Sequence, residues 1–239
     1  MQVTFPREAG GRTGQKGNAM TETAEMPQAG PQPGALWRKA LGRTHDRLIF
    51  SRRVQVLVEA LSAHVPQGGT LLDVGTGDGH IARLVADRTG AEVRGIDIMR
   101  RPRTHIPVDL FDGAVLPRAD ASVDAVSFVD VLHHTPDPGA LIREAARVAK
   151  DAVIIKDHLS ENALDHATLR AMDWVGNAPH GVVLPYNYAS RAQWLDWFAA
   201  AGLEVEAFET RVPLYPFPLS AVFGRGLHFV ARLRPVRGR

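Results

Sequence analysis

The sequence predicts an α/β protein with a doubly wound, mostly parallel sheet. Strand patterns alternate with helix patterns, and the strands read as continuous apolar runs, which is typical of strands covered on both faces. A glycine-rich turn also follows the first strand, where such sheets bind ligands. At 239 residues and 45% hydrophobic, the chain can bury one substantial core. The absence of cysteine excludes disulfides, cysteine zinc sites and thiol nucleophiles.

The first half of the chain carries one helix ahead of the sheet and then four strands. Apolar residues recur at helical spacing over residues 46–64, and Pro66 and Gly68 end this helix. The following elements are, in order, a strand at Thr70–Val74, a helix at Gly79–Arg88 closed by Gly90, and strands at Ala91–Asp97, near Ile106–Phe111 and from Val123 to about Leu132.

The second half is marked by helix caps. Asp137 and Pro138 open a helix as its N-cap and first residue, and a strand follows at Asp151–Asp157. A capping box of Ser190 and Gln193 begins a later helix that ends at Gly202. Two further strands, Leu203–Val212 and Leu227–Leu233, complete a set of seven.

Composition also predicts how the chain is organised. Residues 1–35 read as a disordered leader and residues 36–239 as one domain, with a cover helix at 44–64 and an insertion at 159–189. The leader has no apolar segment for export, so we expect a cytoplasmic protein. Residues 54–224 hold 14 basic against 22 acidic residues, which disfavours a nucleic-acid partner. The oligomeric state is not predicted.

A membrane-spanning helix is not expected. The apolar stretch near the end of the chain is interrupted by Pro213, Pro216 and Pro218, which forbid a continuous helix. Peripheral contact of this stretch and the cover helix with a membrane surface is a hypothesis consistent with a lipid-like substrate.

The turn "LLDVGTGDG" distinguishes between two kinds of nucleotide site. A nicotinamide fingerprint needs a third glycine where this chain has His80. Instead, Asp73 precedes Gly75, Gly77 and Gly79, and a carboxylate suits an ammonium and a sulfonium better than two phosphates. Asp97 ends the second strand, where it can accept hydrogen bonds from ribose hydroxyls. The turn therefore predicts a site for a cationic nucleoside.

Successive motifs now carry a resemblance. The runs "LLDVGTGDG", "GIDI", "FDGAVLPRADASVDAVSFVDVLHHTPDP" and "LIREAARV" resemble those of class I S-adenosylmethionine-dependent methyltransferases, in the branch similar to ubiquinone and menaquinone biosynthesis enzymes. The resemblance covers roughly residues 70–150 and implies a Rossmann-like sheet of seven strands, the last antiparallel. It implies S-adenosylmethionine as the cofactor and methyl transfer to a small molecule.

The resemblance also implies a set of cofactor-binding residues. Asp73 and the three glycines would hold the methionine part, Asp97 the ribose, and Asp112 with Gly113 the adenine, with Asp109 as the rival for Asp112. Thr76, Ile98 and Asp130 complete the set. Arg118 departs from the pattern, because an apolar residue usually follows the "LP" pair.

Candidate catalytic groups follow the fourth and fifth strands. His134 is the first candidate for a general base, because histidine titrates near neutrality. His158 with Asp157 is the second, and His133 is the fourth group of the set. The alternative is that the histidines pack against the cofactor or cap a loop. No metal is expected, because adjacent residues of an extended strand point to opposite sides.

The insertion is the predicted substrate lid. Its candidate contacts are Trp174, Asn177, Tyr186 and Tyr188, which suit an apolar or aromatic acceptor of O- or C-methylation. The alternative is a packed helical connection. Two other functions stay open: a methyltransferase acting on RNA or protein, and a non-catalytic S-adenosylmethionine-binding protein.

Overall fold

One mixed sheet organises the described part of the chain. The structure, a computed structural model, describes residues 51–177 and 186–237, and of residues 175–177 the backbone only. The strands are β1 (Thr70–Val74), β2 (Glu92–Asp97), β3 (Val108–Leu110), β4 (Val123–Val129), β5 (Ala149–His158), β6 (Leu203–Glu209) and β7 (His228–Pro235). Their spatial order is β3-β2-β1-β4-β5-β7-β6.

Helices cover both faces of this sheet. They are α1 (described over residues 51–62), α2 (His80–Thr89), α3 (Pro138–Val148), α4 (Ala163–Asn177), α5 (Arg191–Ala200) and α6 (Leu219–Phe223). The predicted caps are confirmed: Asp137 accepts a hydrogen bond from the backbone N–H of Ala140, and Ser190 and Gln193 form the reciprocal capping box. Gly90 ends α2 in the left-handed conformation.

The predicted fold class is confirmed. Strands β3, β2, β1, β4 and β5 are parallel, and β7 runs antiparallel to both β5 and β6. One core lies between the sheet and α3 with α5, and a second lies between the sheet and α1 with α2. The strand order reverses between β1 and β4, so their carboxyl ends border the crevice in which doubly wound sheets bind ligands.

Some element bounds differ from the prediction. β4 ends at Val129 because Asp130 has a φ of +56° and leaves the sheet, and a 3-10 turn follows at Leu132–His134. β5 begins two residues earlier and ends one later than predicted, and β6 ends at Glu209. The short helix α6 was not predicted.

The predicted leader and the start of the cover helix lie outside the described residues. The insertion at 159–189 is described except for residues 178–185, and its two ends meet where Leu159 forms a β-bridge with Ala189. Among the described residues, no helix combines the length and apolar character needed to cross a membrane.

The burial of β7 predicts that replacing two leucines by alanine changes the stability of the protein by different amounts. Leu233 is fully buried, whereas Leu164 is 62% exposed. We expect Leu233→Ala to lower the free energy of unfolding by about 2–5 kcal/mol, because it leaves a cavity in the core. Leu164→Ala, the matched control, should change it by less than about 1 kcal/mol. Urea unfolding followed by circular dichroism measures both, and equal losses would contradict the packing described here.

Candidate active site

The glycine turn after β1 leaves no room for side chains at two positions. A Cβ on Gly75 would lie 2.6 Å from Cγ2 of Val131, and one on Gly79 would lie 2.5 Å from Cγ1 of Ile106. Both residues have positive φ angles, which L side chains rarely adopt. A Cβ on Gly77 would meet nothing within 4 Å, so this part of the turn presents bare backbone to open space.

Two buried aspartates hold this turn in place. Asp73 accepts hydrogen bonds from the hydroxyls of Thr76 and Ser127, each at 2.6 Å. Burial raises the pKa of Asp73, although the two hydroxyl hydrogen bonds oppose this. Asp97 accepts from the backbone N–H groups of Gly77, at 2.8 Å, and Met99, at 2.9 Å. Asp97 therefore holds the backbone of the turn directly, whereas Asp73 holds the turn through the hydroxyl of Thr76.

The turn after β3 favours Asp112 over its rival Asp109. One oxygen of Asp112 accepts from the backbone N–H groups of Ala114 and Val115, both at 2.9 Å, and these bonds lower the pKa of Asp112. The carboxylate of Asp109 instead lies 3.1 Å from the guanidinium of Arg118. This ion pair also gives the unexpected Arg118 a structural role.

An exposed apolar surface lies beside Asp112. Ile98 is 63% exposed and Val115 57%. A Cβ on Gly113 would lie 3.1 Å from Cγ2 of Ile98, so these two residues are neighbours. Exposed apolar side chains next to a hydrogen-bonding carboxylate suit a flat heterocycle with a polar edge.

A cavity of about 220 Å³ lies beyond the carboxyl ends of β4 and β5. Its wall combines residues from α1, both strand ends, the 3-10 turn, α4 and the segment before α6. The lining residues are Arg53, Asp130, His133, His134, His158, Met172, Asp173 and Tyr215. All four predicted catalytic residues thus meet here, with Asp157 directly behind the wall.

A hydrogen bond of 2.6 Å joins Nδ1 of His133 to Oδ1 of Asp157. Asp157 is fully buried and also accepts from the backbone N–H groups of Leu132 and His158. Burial alone would raise its pKa, but the charge and hydrogen bond of His133 hold the pKa of Asp157 far below its ordinary value. Conversely, burial alone would lower the pKa of His133, but Asp157, together with Asp130 and Asp173, raises it. His133 is therefore the histidine poised to hold a proton.

The other two histidines of the cavity favour the neutral form. Burial and the neighbouring His133 lower the pKa of His134 to about 4, and burial and Lys156 lower the pKa of His158. Buried Nδ1 of His134 has no hydrogen-bond partner among the described residues. Neither ring lies as close to a carboxylate as the ring of His133, which is 2.6 Å from Asp157. We therefore take His133, in place of His134, as the leading candidate for the base.

The reason given against a shared metal ion was wrong. It assumed an extended strand, but residues 132–134 form a 3-10 turn, and the rings of His133 and His134 lie 3.9 Å apart, centroid to centroid. One nitrogen of each ring and one oxygen of Asp173 lie within 4.8 Å of one another. That no metal is bound stays a prediction.

The sequence analysis missed Lys156. It is a fully buried lysine, and its ammonium forms an ion pair with Asp130, which also binds Arg53 at 2.7 Å. Burial lowers the pKa of Lys156 against the pull of Asp130, whose own pKa lies well below its ordinary value. A lone lysine inside the apolar run "VIIKD" was the available signal, because an unpaired charge is not buried in a strand.

The insertion contributes residues other than those predicted. Met172 and Asp173 line the cavity, whereas Trp174 is 63% exposed and is not among the lining residues. The side chain of Asn177 lies outside the described residues. Tyr186 places its ring 4.6 Å from the guanidinium carbon of Arg170. Of the predicted contacts whose side chains are described, Tyr188 lies at the histidine cluster.

The end of the insertion is fastened to the 3-10 turn. The Tyr188 hydroxyl donates a hydrogen bond to Asp173, and its ring stacks on His133 with centroids 5.8 Å apart. The side chain of Asn187 donates to the carbonyl of Thr135 at 2.7 Å. The insertion is therefore attached to the turn that carries the candidate base.

The chain is similar to known methyltransferases. The model of a methyltransferase domain family matches residues 45–207. The methyltransferase GfsG of Streptomyces halstedii is 30% identical over 54% of this chain, and a ubiquinone biosynthesis O-methyltransferase of Pseudoalteromonas translucida is 29% identical over 57%. The matched regions span 55% and 64% of those two relatives, less than two thirds of either.

A solved structure shares the fold. An S-adenosylmethionine-dependent methyltransferase from Mesorhizobium loti aligns with a TM-score of 0.56 at 18% identity. The alignment covers 74% of this chain and 96% of that one. At this identity the likeness supports the fold alone.

The buried ion pair predicts that replacing two lysines by methionine lowers the free energy of unfolding by different amounts. Lys156→Met should lower the free energy of unfolding by about 3 kcal/mol, because it leaves Asp130 buried with one cation fewer. Lys150 is half exposed and pairs with Asp124 at 3.1 Å, so Lys150→Met should cost less than about 1 kcal/mol. Urea unfolding at pH 7 measures both. A Lys156→Met protein as stable as the control would contradict a buried charge at this position.

Proposed function

This chain belongs to the methyltransferase domain family, and from that premise we propose that it transfers a methyl group from S-adenosylmethionine to a hydroxyl of a small molecule. The observation that carries the proposal is the hydrogen bond between His133, which lines the cavity, and Asp157 behind it. The cavity lies at the same sheet edge as the glycine turn, so methyl donor and acceptor would meet there.

In this proposal, S-adenosylmethionine lies across the carboxyl ends of β1 and β2. The open backbone at Gly77 receives it, and Asp97 and Asp112 offer carboxylate oxygens to the ribose and the adenine amino group. Asp73 acts mainly by holding the turn through Thr76. A direct contact between Asp73 and the ammonium group remains part of the proposal.

The acceptor occupies the cavity with its hydroxyl toward His133. Asp157 binds Nδ1, so the buried Nε2 is the ring nitrogen left to take the hydroxyl proton. Nε2 has no hydrogen-bond partner among the described residues, and Oδ2 of Asp173 lies 3.5 Å from it. S-adenosylmethionine, when bound, would supply the methyl group, and the thioether S-adenosylhomocysteine would be the second product. His133 takes the proton that the acceptor oxygen loses as its bond to the methyl carbon forms. Holding the groups in line contributes the remaining acceleration.

The cavity wall also bears on the kind of acceptor. Its volume of about 220 Å³ suits a small molecule, or one reactive part of a larger one, better than a folded RNA or protein surface. Six of the eight lining residues are ionisable: three histidines, two aspartates and one arginine. Met172 and Tyr215 supply the apolar surface. We therefore propose a polar, hydroxyl-bearing acceptor in place of a largely apolar one.

Cofactor binding can be tested with two glycines that share one backbone conformation. Gly75 and Gly68 have φ angles of +69° and +65°, but a Cβ on Gly68 would meet nothing within 4 Å. Gly68→Ala therefore controls for backbone strain, and Gly75→Ala adds the clash with Val131. In calorimetric titration, we expect wild type and Gly68→Ala to bind S-adenosylhomocysteine, and Gly75→Ala to bind at least about tenfold more weakly. Binding of NADH in its place would overturn the cofactor assignment.

Turnover separates an enzyme from a binding protein. We expect the wild type to form S-adenosylhomocysteine with at least one member of a panel of hydroxyl-bearing metabolites. His133→Asn should lose about 100-fold or more in kcat because its base is gone, yet still bind S-adenosylhomocysteine. His105→Asn is the matched control, since His105 lies against His80, away from the cavity. Tight cofactor binding without turnover across the panel would favour the non-catalytic alternative.

A further inference from the structure

A second carboxylate stands at the other ring nitrogen of His133. Oδ2 of Asp173 lies 3.5 Å from Nε2, while Oδ1 of Asp157 lies 2.6 Å from Nδ1. His133 is 1% exposed and Asp173 8%, so water screens neither interaction effectively. The imidazole is thus bracketed by two carboxylates in a buried site.

The two carboxylates come from different parts of the fold. Asp157 belongs to β5 in the centre of the sheet, whereas Asp173 belongs to α4 in the insertion. Tyr188, at the far end of the same insertion, donates its hydroxyl to Asp173 and stacks its ring on His133. Three groups of the insertion and the turn therefore hold one another in a single arrangement.

We propose that Asp173, positioned by Tyr188, is a second proton-stabilising group for His133. Asp157 orients the imidazole, and Asp173 stabilises the proton that arrives on Nε2.

The charge balance of the proposed reaction explains why two carboxylates are useful. Methyl transfer converts a sulfonium cation into a neutral thioether, and the proton released by the acceptor creates an imidazolium cation on His133. The positive charge stays in the buried site but moves to the histidine, where it is costly unless it is paired. Carboxylates at both ring nitrogens supply that pairing. This catalytic part of the inference rests on the proposed function, whereas the bracket itself does not.

The titration of His133 depends on every charged neighbour. Asp157 and His158 face it from β5, His134 from its own turn, Asp173 from α4, and Asp130 from the end of β4. His134 and His158 favour the neutral form, and Asp130 is already paired with Lys156 and Arg53. Asp157, Asp130 and Asp173 all favour the protonated ring, but removing Asp130 would also leave Lys156 and Arg53 unpaired, so Asp157 and Asp173 are the two carboxylates whose removal tests the ring itself.

NMR titration of the histidine rings in the whole protein, without cofactor or acceptor, tests whether Asp157 and Asp173 both act on His133; this pair of contacts is the bracket. We expect Asp173→Asn to lower the pKa of His133 by about one unit, because an opposite charge near the ring is lost. Tyr188→Phe should lower it less, by loosening Asp173, and Asp173→Glu should restore part of the shift. The controls are Asp165→Asn, two turns earlier on α4, where Asp165 accepts from Asn162, and Tyr186→Phe, and both should leave the titration unchanged.

The outcomes decide the inference separately from the proposed function. A His133 titration that moves in Asp157→Asn but not in Asp173→Asn or Tyr188→Phe would overturn the bracket, and turnover through the Asp157 pair alone would still stand. A shift in the Asp173 variant without any turnover would support the bracket and contradict the proposed enzyme. With a turned-over acceptor, Asp173→Asn should lower kcat at least about tenfold and move the lower limb of its pH profile to lower pH, while Asp165→Asn does neither.

Discussion

The hydrogen bond between Asp157 and His133 is the interaction on which the rest of the site depends. A carboxylate as deeply buried as Asp157 must be paired or protonated, and the imidazole together with two backbone N–H groups keeps it ionised. The same contact fixes the ring of His133 and raises its pKa. The 3-10 turn, the ending of β4 and the docking of the insertion all converge on this pair.

The sheet makes this arrangement possible because its strand order reverses between β1 and β4. On one side of the reversal, the glycine turn offers bare backbone beside the carboxylate of Asp97, and the proposed nucleoside would lie there. On the other side, the ends of β4 and β5 gather ionisable groups around a cavity. A donor and an acceptor can therefore be held by separate sets of residues a short distance apart, which is what a transfer between two ligands requires.

The ionisable groups around the cavity are divided into pairs that keep one another charged. Lys156 and Arg53 neutralise Asp130, and Asp157 holds the proton of His133, while His134 and His158 are left to the neutral form. Within this small region the pKa values shift in opposite directions, so some groups carry charge while others stay neutral and accept hydrogen bonds. This division suits the proposed reaction, in which the positive charge moves from a sulfonium to the imidazole of His133 and stays within the site.

The sequence by itself determined the order and type of the strands and main helices, the helix caps and the location of the glycine turn. These features depend on local periodicity, on capping residues such as Asp137 and Ser190, and on glycines that tolerate positive φ angles, all of which are legible in a short stretch of chain. It also predicted that His133, His134, Asp157 and His158 lie near one another, because the carboxyl ends of neighbouring parallel strands meet at one edge. Only the tertiary structure decided which of those groups touch. Asp130, with its positive φ, ends β4 early, and a 3-10 turn follows where a strand end was expected. The register of α4 places Asp173 rather than Trp174 at the cavity. Lys156 is buried because it pairs with Asp130, 26 residues away in the sequence. Protonation and side-chain contacts depend on distances between residues remote in sequence, and no local pattern encodes those distances.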